Sequence, residues 1–277
     1  MTVTILKPGL QSSLQARPRS GMRHLGVPAG GAADPLSLAL ANTLVGNAWD
    51  APAIEATLLG PTVRFESKLV FALAGATAAP RLNNEEVPLH ATTSAQAGDV
   101  LEVGPVTAGA RVYLAVAGGM DAHNVLGSSS TNLQAAFGGH EGRALRADDR
   151  IVAPGGDAEP CATPDAFRPP MTTSWGLRTC VGPEGELVAD MDVLFDTNWV
   201  VDRRADRMGL RLDGPRLSVL SDGRMPSAGV MPGTVQCPED GVPYLLSVDA
   251  GTVGGYPRIA QVTRADRHLL GQLRPGD

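Results

Sequence analysis

Apolar and polar residues alternate in short runs along most of the chain, and this pattern predicts strands far more often than helices. Residues 2–6 alternate and predict a first strand, while 7–25, carrying Gln, Ser, Arg and Pro, read as a loop. Further runs predict strands at 62–66, 69–74, 99–103 and 111–117, then near 176–181, 199–202, 209–212, 217–220, 243–248 and 257–263. Asn83-Asn84 marks a tight turn between short segments. A helix is predicted after Asp34, which can cap it. Pro35 fits its first turn, Leu36, Leu40 and Leu44 recur every four residues, and Gly46-Asn47 tolerates the left-handed conformation that ends helices. Two more helices are predicted, around 184–195 and over 264–273. The second would be capped by Thr263, with Asp266 in its first turns and Leu269, Leu270 and Leu273 buried.

Residues 54–59 read as a strand with a carboxylate inside it. Ile54, Ala56 and Leu58 face one way, and Glu55, Thr57 and Leu59 the other. Such a carboxylate must be solvated, paired or protonated, and spacing alone leaves a solvent face and a functional site equally open. Residues 118–143 hold Gly118-Gly119, Ser128-Ser129-Ser130-Thr131 and Gly138-Gly139-His140-Glu141-Gly142-Arg143. This segment reads either as a long surface loop or as one presenting amides and hydroxyls to an anion. Residues 153–172 contain Pro154, Pro160, Pro164, Pro169 and Pro170 without apolar periodicity. They are the expected linker between a unit at 1–152 and another at 173–277.

Composition narrows the function classes. Among 277 residues aromatics make up 4%, while 33 Gly and 22 Pro favour many turns and short strands over a helical bundle. The net charge of −6, with no long run among the basic residues, argues against a nucleic-acid or anionic-membrane partner. The N-terminal stretch has no apolar run long enough for a secretory leader or a membrane span. Cys161, Cys180 and Cys237 are too few and too widely spaced for a disulfide framework or a metal knuckle, so a reducing cytoplasm is the expectation. His24, His90, His123, His140 and His268 lack metal-ligand spacing, and no metal is expected. There is no phosphate-binding P-loop, dinucleotide fingerprint or Gly-x-Ser-x-Gly elbow, and no Met-Lys biotinylation signal.

What remains is a polar set around Gly-rich turns: Glu55, Arg143, Asp206-Arg207, Gln236 and Tyr256. Arg can grip a carboxylate or phosphate with two parallel bonds, Gln and Tyr can hydrogen-bond an amide or lactam, and Glu with a raised pKa can act as a base. Singly, each of these also fits an ordinary surface ion pair or rim aromatic.

The stretch from Gly26 to Pro61 resembles the signature of the allophanate hydrolase subunit 2 family, also called biotin-dependent carboxyltransferase-like. Tyr113-Leu-Ala-Val-Ala-Gly-Gly119, Asp206-Arg-Met-Gly-Leu-Arg-Leu212, Pro232-Gly-Thr-Val-Gln236 and Gly254-Gly-Tyr-Pro257 follow in family order. The family includes the 5-oxoprolinase C subunit and the carboxyltransferase region of urea carboxylase. The resemblance implies a mainly β fold of two tandem cyclophilin-like β-barrel units with a few short helices. It implies a cytoplasmic hydrolase component that turns 5-oxoproline into glutamate with ATP shared among partner subunits. Those partners would be a homologue of allophanate hydrolase subunit 1 (the 5-oxoprolinase B subunit) and a LamB/YcsF-like subunit. Two alternatives follow from the same resemblance: carboxyl transfer to urea or a related amide, with biotin carried on another protein, and a non-catalytic antagonist of a kinase inhibitor. It implies Glu55 and Tyr256 as catalytic residues, and Arg143, Arg207, Gln236, Gly254 and Gly255 as substrate-binding.

The chain departs from the family pattern in three loops. Gly251-Thr252-Val253 replaces the start of Gln-Thr-Thr-Gly-Gly-Tyr-Pro, Ser129 stands where Arg is usual, and His140 where Phe is usual. A further strand beyond Pro275-Gly276-Asp277 is also part of the implied pattern.

Overall fold

The computed structural model describes residues 1–220 and 225–277. The chain divides into two compact units. The first comprises Met1–Arg19 and Gly30–Thr172, the second Ser20–Ala29 and Thr173–Asp277. Both are mainly β. Their hydrogen-bonded sheets are open rather than closed barrels.

The first unit contains β1 (Thr2–Lys7), β2 (Gln11–Gln15), α1 (Pro35–Leu44), β3 (Ala53–Thr57), β4 (Thr62–Phe65), β5 (Leu69–Ala78), β6 (Arg81–Leu82), β7 (Glu85–Glu86), β8 (Thr92–Ala95), β9 (Val100–Glu102), β10 (Val106–Val116) and β11 (Arg150–Val152). One sheet runs β11-β1-β4-β9-β6-β7 and the other β2-β3-β10-β5-β8. The inner faces of both share one core of Val3, Ile5, Phe65, Phe71, Leu101 and Leu114. Phe65 and Phe71 stack with ring centres 5.1 Å apart. Two sheets that cover each other in this way bury their apolar faces without closing into a barrel.

Strand alternation assigns the second face of the β2–β8 sheet to α1. On β10, Val112, Leu114 and Val116 enter the core between the sheets, while Tyr113 and Ala115 pack with the helix. On β5, Phe71 and Leu73 go one way, Ala72 and Ala74 the other. Alanines beneath the helix leave room for its close approach. The helix therefore turns Ser37, Leu38, Ala41, Asn42 and Leu44 inward and exposes Leu36, which differs from the predicted Leu36-Leu40-Leu44 stripe. Asp34 caps it as expected, accepting the N–H groups of Leu36 and Ser37 at 3.0 Å each.

Residues 11–15 form a strand where a loop was expected. Apolar periodicity misses it because Ser12, Ser13 and Gln15 are buried polar residues, satisfied by hydrogen bonds. Ser12 donates to Pro8 O, and Gln15 to Ser13 Oγ and Thr131 O. The serine and threonine hydroxyls of 118–143 also turn inward: Ser128 donates to Arg17 O, and Thr131 to Leu14 O. Arg19 is fully buried, donates to the carbonyls of Val125 and Ser130, and lies 4.6 Å over the Phe137 ring. Asn83 and Asn84 both take positive φ, as their predicted turn requires. Residues 153–172, expected as a linker, group with the first unit. Ala153 N–H bonds Met1 O, Thr163 N–H bonds His90 O, and Cys161 exchanges bonds with Thr92.

The second unit contains β12 (Thr179–Val181), α2 (Met191–Asp196), β13 (Val200–Val201), β14 (Gly209–Asp213), β15 (Ala228–Gly229), β16 (Thr234–Gln236), β17 (Tyr244–Leu246), β18 (Val253–Gly254) and β19 (Arg258–Val262). Its main sheet runs β12-β19-β16-β17-β14-β13, and β15 pairs with β18 as a separate ribbon. Val235, Leu245, Ile259, Val262 and Leu270 form its core. The predicted strand 217–220 is reduced to one bridge between Val188 and Val219. The predicted helix at 264–273 is a 3-10 helix, Arg264–Gly271, without a side-chain cap from Thr263. Asp266 instead takes the guanidinium and the N–H of Arg178.

Candidate functional site

The ribbon of the second unit gathers four of the predicted site residues. Gln236 is buried at the end of β16, and its amide donates to the Tyr256 carbonyl at 3.2 Å. Gly254 sits against that amide so closely that a Cβ would lie 2.6 Å from Gln236 Nε2, so the Gln236 amide would have to shift to admit a side chain there. Gly255 accepts the Met225 N–H through its carbonyl. Together these contacts present the Tyr256 ring outward at 47% exposure. Its hydroxyl has no partner among the described residues. A phenol so placed can donate to a carbonyl oxygen of a bound amide or lactam.

Two guanidiniums brace the same loop from within the unit. Arg23 donates to the carbonyls of Val230 and Thr252 and so fastens Ser20–Ala29 beside the ribbon. Its burial lowers its pKa. Arg207, expected to grip substrate, is buried and already forked onto Asp249, with Nε 2.7 Å and Nη2 3.3 Å from the two carboxylate oxygens. The Asp249 N–H returns a bond to Arg207 O, so this pair ties the β14 entry to the loop that leads to Thr252.

In the first unit Glu55 is buried, not solvent-facing, with 2% exposure. Its Oε2 accepts from the Ala33 N–H at 2.8 Å and the Tyr113 hydroxyl at 2.7 Å, and its Oε1 lies 3.5 Å from Arg111 Nε. The Tyr113 hydroxyl in turn accepts the Asp34 N–H at 2.8 Å. Burial, and then the negative charges of Glu55 and Asp34, push the Tyr113 pKa well above its ordinary value. The carboxylate is thus paired and hydrogen-bonded, and it holds the loop that feeds the α1 cap.

Arg143 shares no partner with Glu55. It forks between Glu141 (2.6 Å) and Asp149 (2.7 Å), and the Asp149 bond holds its pKa above the ordinary value. Asp149 is lowered from 3.8 to about 2, chiefly by that Arg143 bond and also by the Arg146 N–H. His140, which replaces the usual Phe, lies 3.4 Å from Asp149. Among the described residues no group of three or more His, Cys, Asp or Glu is arranged to hold a metal, and no helix is long and apolar enough to cross a membrane.

Arg111 and Tyr113 were missed as members of this polar set. Part of their signal was present, since on β10 they alternate with Val112 and Leu114 and so share a face, but the register that puts Tyr113 opposite Glu55 is seen only in the structure.

Comparison with known proteins adds independent weight. Residues 25–277 match the family model for the carboxyltransferase domain, subdomain A and B. The chain is 38% identical to the 5-oxoprolinase C subunit of Escherichia coli over 98% of its own length and 88% of that protein's. It is 32% identical to the urea amidolyase of Saccharomyces cerevisiae over 99% of its length, but only 16% of that larger protein. Among solved structures it superposes on the Kluyveromyces lactis urea carboxylase with a TM-score of 0.94 at 32% identity, covering 100% of this chain and 27% of that one.

Proposed function

The chain belongs to the carboxyltransferase-domain family, and on that premise we propose that it is one component of an ATP-dependent enzyme that processes amides or lactams. The reading that fits best is 5-oxoproline plus two water molecules plus ATP going to glutamate, ADP and phosphate, carried out with partner subunits. One observation carries it: the match to a 5-oxoprolinase C subunit spans 98% of this chain and 88% of that relative. The partners in this reading are a homologue of the 5-oxoprolinase B subunit and a LamB/YcsF-like subunit. The ATP site is shared with them, and the setting is the cytoplasm.

Residue roles follow from the geometry. The exposed Tyr256 hydroxyl donates to the lactam carbonyl, with Gln236, Gly254 and Gly255 fixing its ribbon. Arg207 and Arg143 are committed to Asp249 and Asp149, and they shape their loops rather than offer a free fork. Glu55, expected as a base, is assigned a positioning part, because Ala33, Tyr113 and Arg111 already occupy its oxygens.

A second reading, carboxyl transfer from biotin carried on another protein, is favoured by the likeness to the Kluyveromyces lactis urea carboxylase across the whole of this chain. One assay separates the two. The chain is purified with its subunit homologues and given 5-oxoproline and ATP, or urea with a carboxylated biotin carrier. Glutamate and phosphate released only when this chain is present support the first reading. Carboxylated urea without glutamate release replaces it with the second.

A further inference from the structure

The first unit holds a recess of about 220 Å³. At about 30 Å³ for each water-sized group, it has room for a molecule of about seven non-hydrogen atoms. Four polar side chains line it, those of Arg17, Asp50, Asn124 and Ser129, beside the small apolar residues Ala16 and Pro52. Asp50 and Ser129 are half-buried while Arg17 and Asn124 are exposed, so the recess opens to solvent. Its walls are tied together through residue 17. The Arg17 N–H donates to Asp50 O at 3.2 Å, Arg17 Nε donates to Gly127 O at 3.1 Å, and the Ser128 hydroxyl donates to Arg17 O at 2.6 Å.

The functional ends of these side chains are unspent. The two terminal nitrogens of Arg17 bond nothing among the described residues, and neither do the Asp50 carboxylate, the Asn124 amide or the Ser129 hydroxyl. Arg17 and Asp50 thus share one recess without forming an ion pair, because the bond from Nε to Gly127 O holds the guanidinium at the loop that carries Asn124 and Ser129. Such a recess selects by charge. A simple anion attracted by Arg17 is repelled by Asp50, and a simple cation meets the reverse. A small molecule that carries both charges finds a partner for each.

We propose that this recess binds a free α-amino acid as its zwitterion. The carboxylate is held by the terminal nitrogens of Arg17 and the ammonium by the Asp50 carboxylate. A short polar side chain is met by Asn124 and Ser129, which offer both donors and acceptors. The site is built from first-unit residues alone, and the proposal does not depend on the reaction assigned above.

The test is isothermal titration calorimetry of the whole chain with L-serine, and with acetate and ethanolamine, which carry one charge each. Arg17→Gln removes the guanidinium, Asp50→Asn removes the negative charge at nearly constant shape, and a melting curve checks that each variant folds. The expected result is saturable L-serine binding, about tenfold or more tighter than that of acetate or ethanolamine. Either substitution should weaken it about tenfold or more. Asp50→Asn should leave acetate binding equal or stronger, since it removes a repulsion. Acetate binding as tightly as L-serine would show an unselective anion pocket and overturn the proposal. Weaker acetate binding in Asp50→Asn would mean that Asp50 acts only by shaping the wall, and would overturn it too. L-Serine binding that ignores Asp50→Asn, or is absent altogether, would do the same.

Discussion

The two units use their polar motif residues in opposite ways. In the first, Glu55, Arg111, Tyr113 and Asp34 are all buried, and they bond one another, the loop before α1 and the first turn of that helix. In the second, Gln236 and the Gly254-Gly255 pair support a tyrosine that faces solvent. The first arrangement is a brace and the second a presentation. Motif residues of similar chemical type therefore need not have similar roles; what separates them is where their hydrogen-bonding capacity is spent.

The largest expected effect would break this comparison most directly. Glu55→Ala leaves the Arg111 guanidinium and the Ala33 N–H buried without their carboxylate, which should cost about 3–5 kcal/mol in urea unfolding. A loss below about 1 kcal/mol would mean that the network is not a brace. A smaller loss is expected from acid. The Asp149 carboxylate has its pKa lowered in the folded protein from 3.8 to about 2, so its contribution is present above pH about 4 and disappears as pH falls toward about 2. The size is about 2 kcal/mol. Asp149→Asn should flatten stability over that window, and an unchanged acid limb would remove Arg143–Asp149 from the account. Tyr113→Phe comes next, at about 1–2 kcal/mol, because the Asp34 N–H loses its acceptor and Glu55 a donor.

Much of the brace was legible in the sequence, though not as a brace. A carboxylate within an apolar strand flags Glu55, and Asp34-Pro35 flags the helix start. The register that sets Tyr113 opposite Glu55 was hidden, because it joins residues 58 positions apart. The β2 strand was hidden for another reason: three of its four buried residues are Ser12, Ser13 and Gln15, with only Leu14 apolar, and hydrophobic periodicity cannot register polar groups satisfied by hydrogen bonds. The linker expectation at 153–172 followed proline content, yet bonds to Thr92 and His90 tie that stretch to the first unit. In the second unit the Gly-Gly-Tyr-Pro motif was visible, but its closeness to Gln236 requires the β16–β19 pairing, with Gln236 opposite Arg258.

The smallest expected stability effect is also the sharpest test of presentation. The Tyr256 hydroxyl bonds nothing among the described residues, so Tyr256→Phe should change unfolding free energy by less than about 0.5 kcal/mol. If the phenol donates to the substrate carbonyl in the transition state, the same variant should lower kcat about tenfold, on the order of 1.4 kcal/mol in the barrier. A rise in KM with kcat unchanged would instead make it a group that only binds. Gln236→Leu provides the matching control. It removes the amide that donates to the Tyr256 carbonyl, so it should loosen the ribbon and lower activity while leaving the hydroxyl itself in place. Should Tyr256→Phe destabilise the chain as much as Tyr113→Phe does, the two tyrosines would share a role and the contrast between the units would fail.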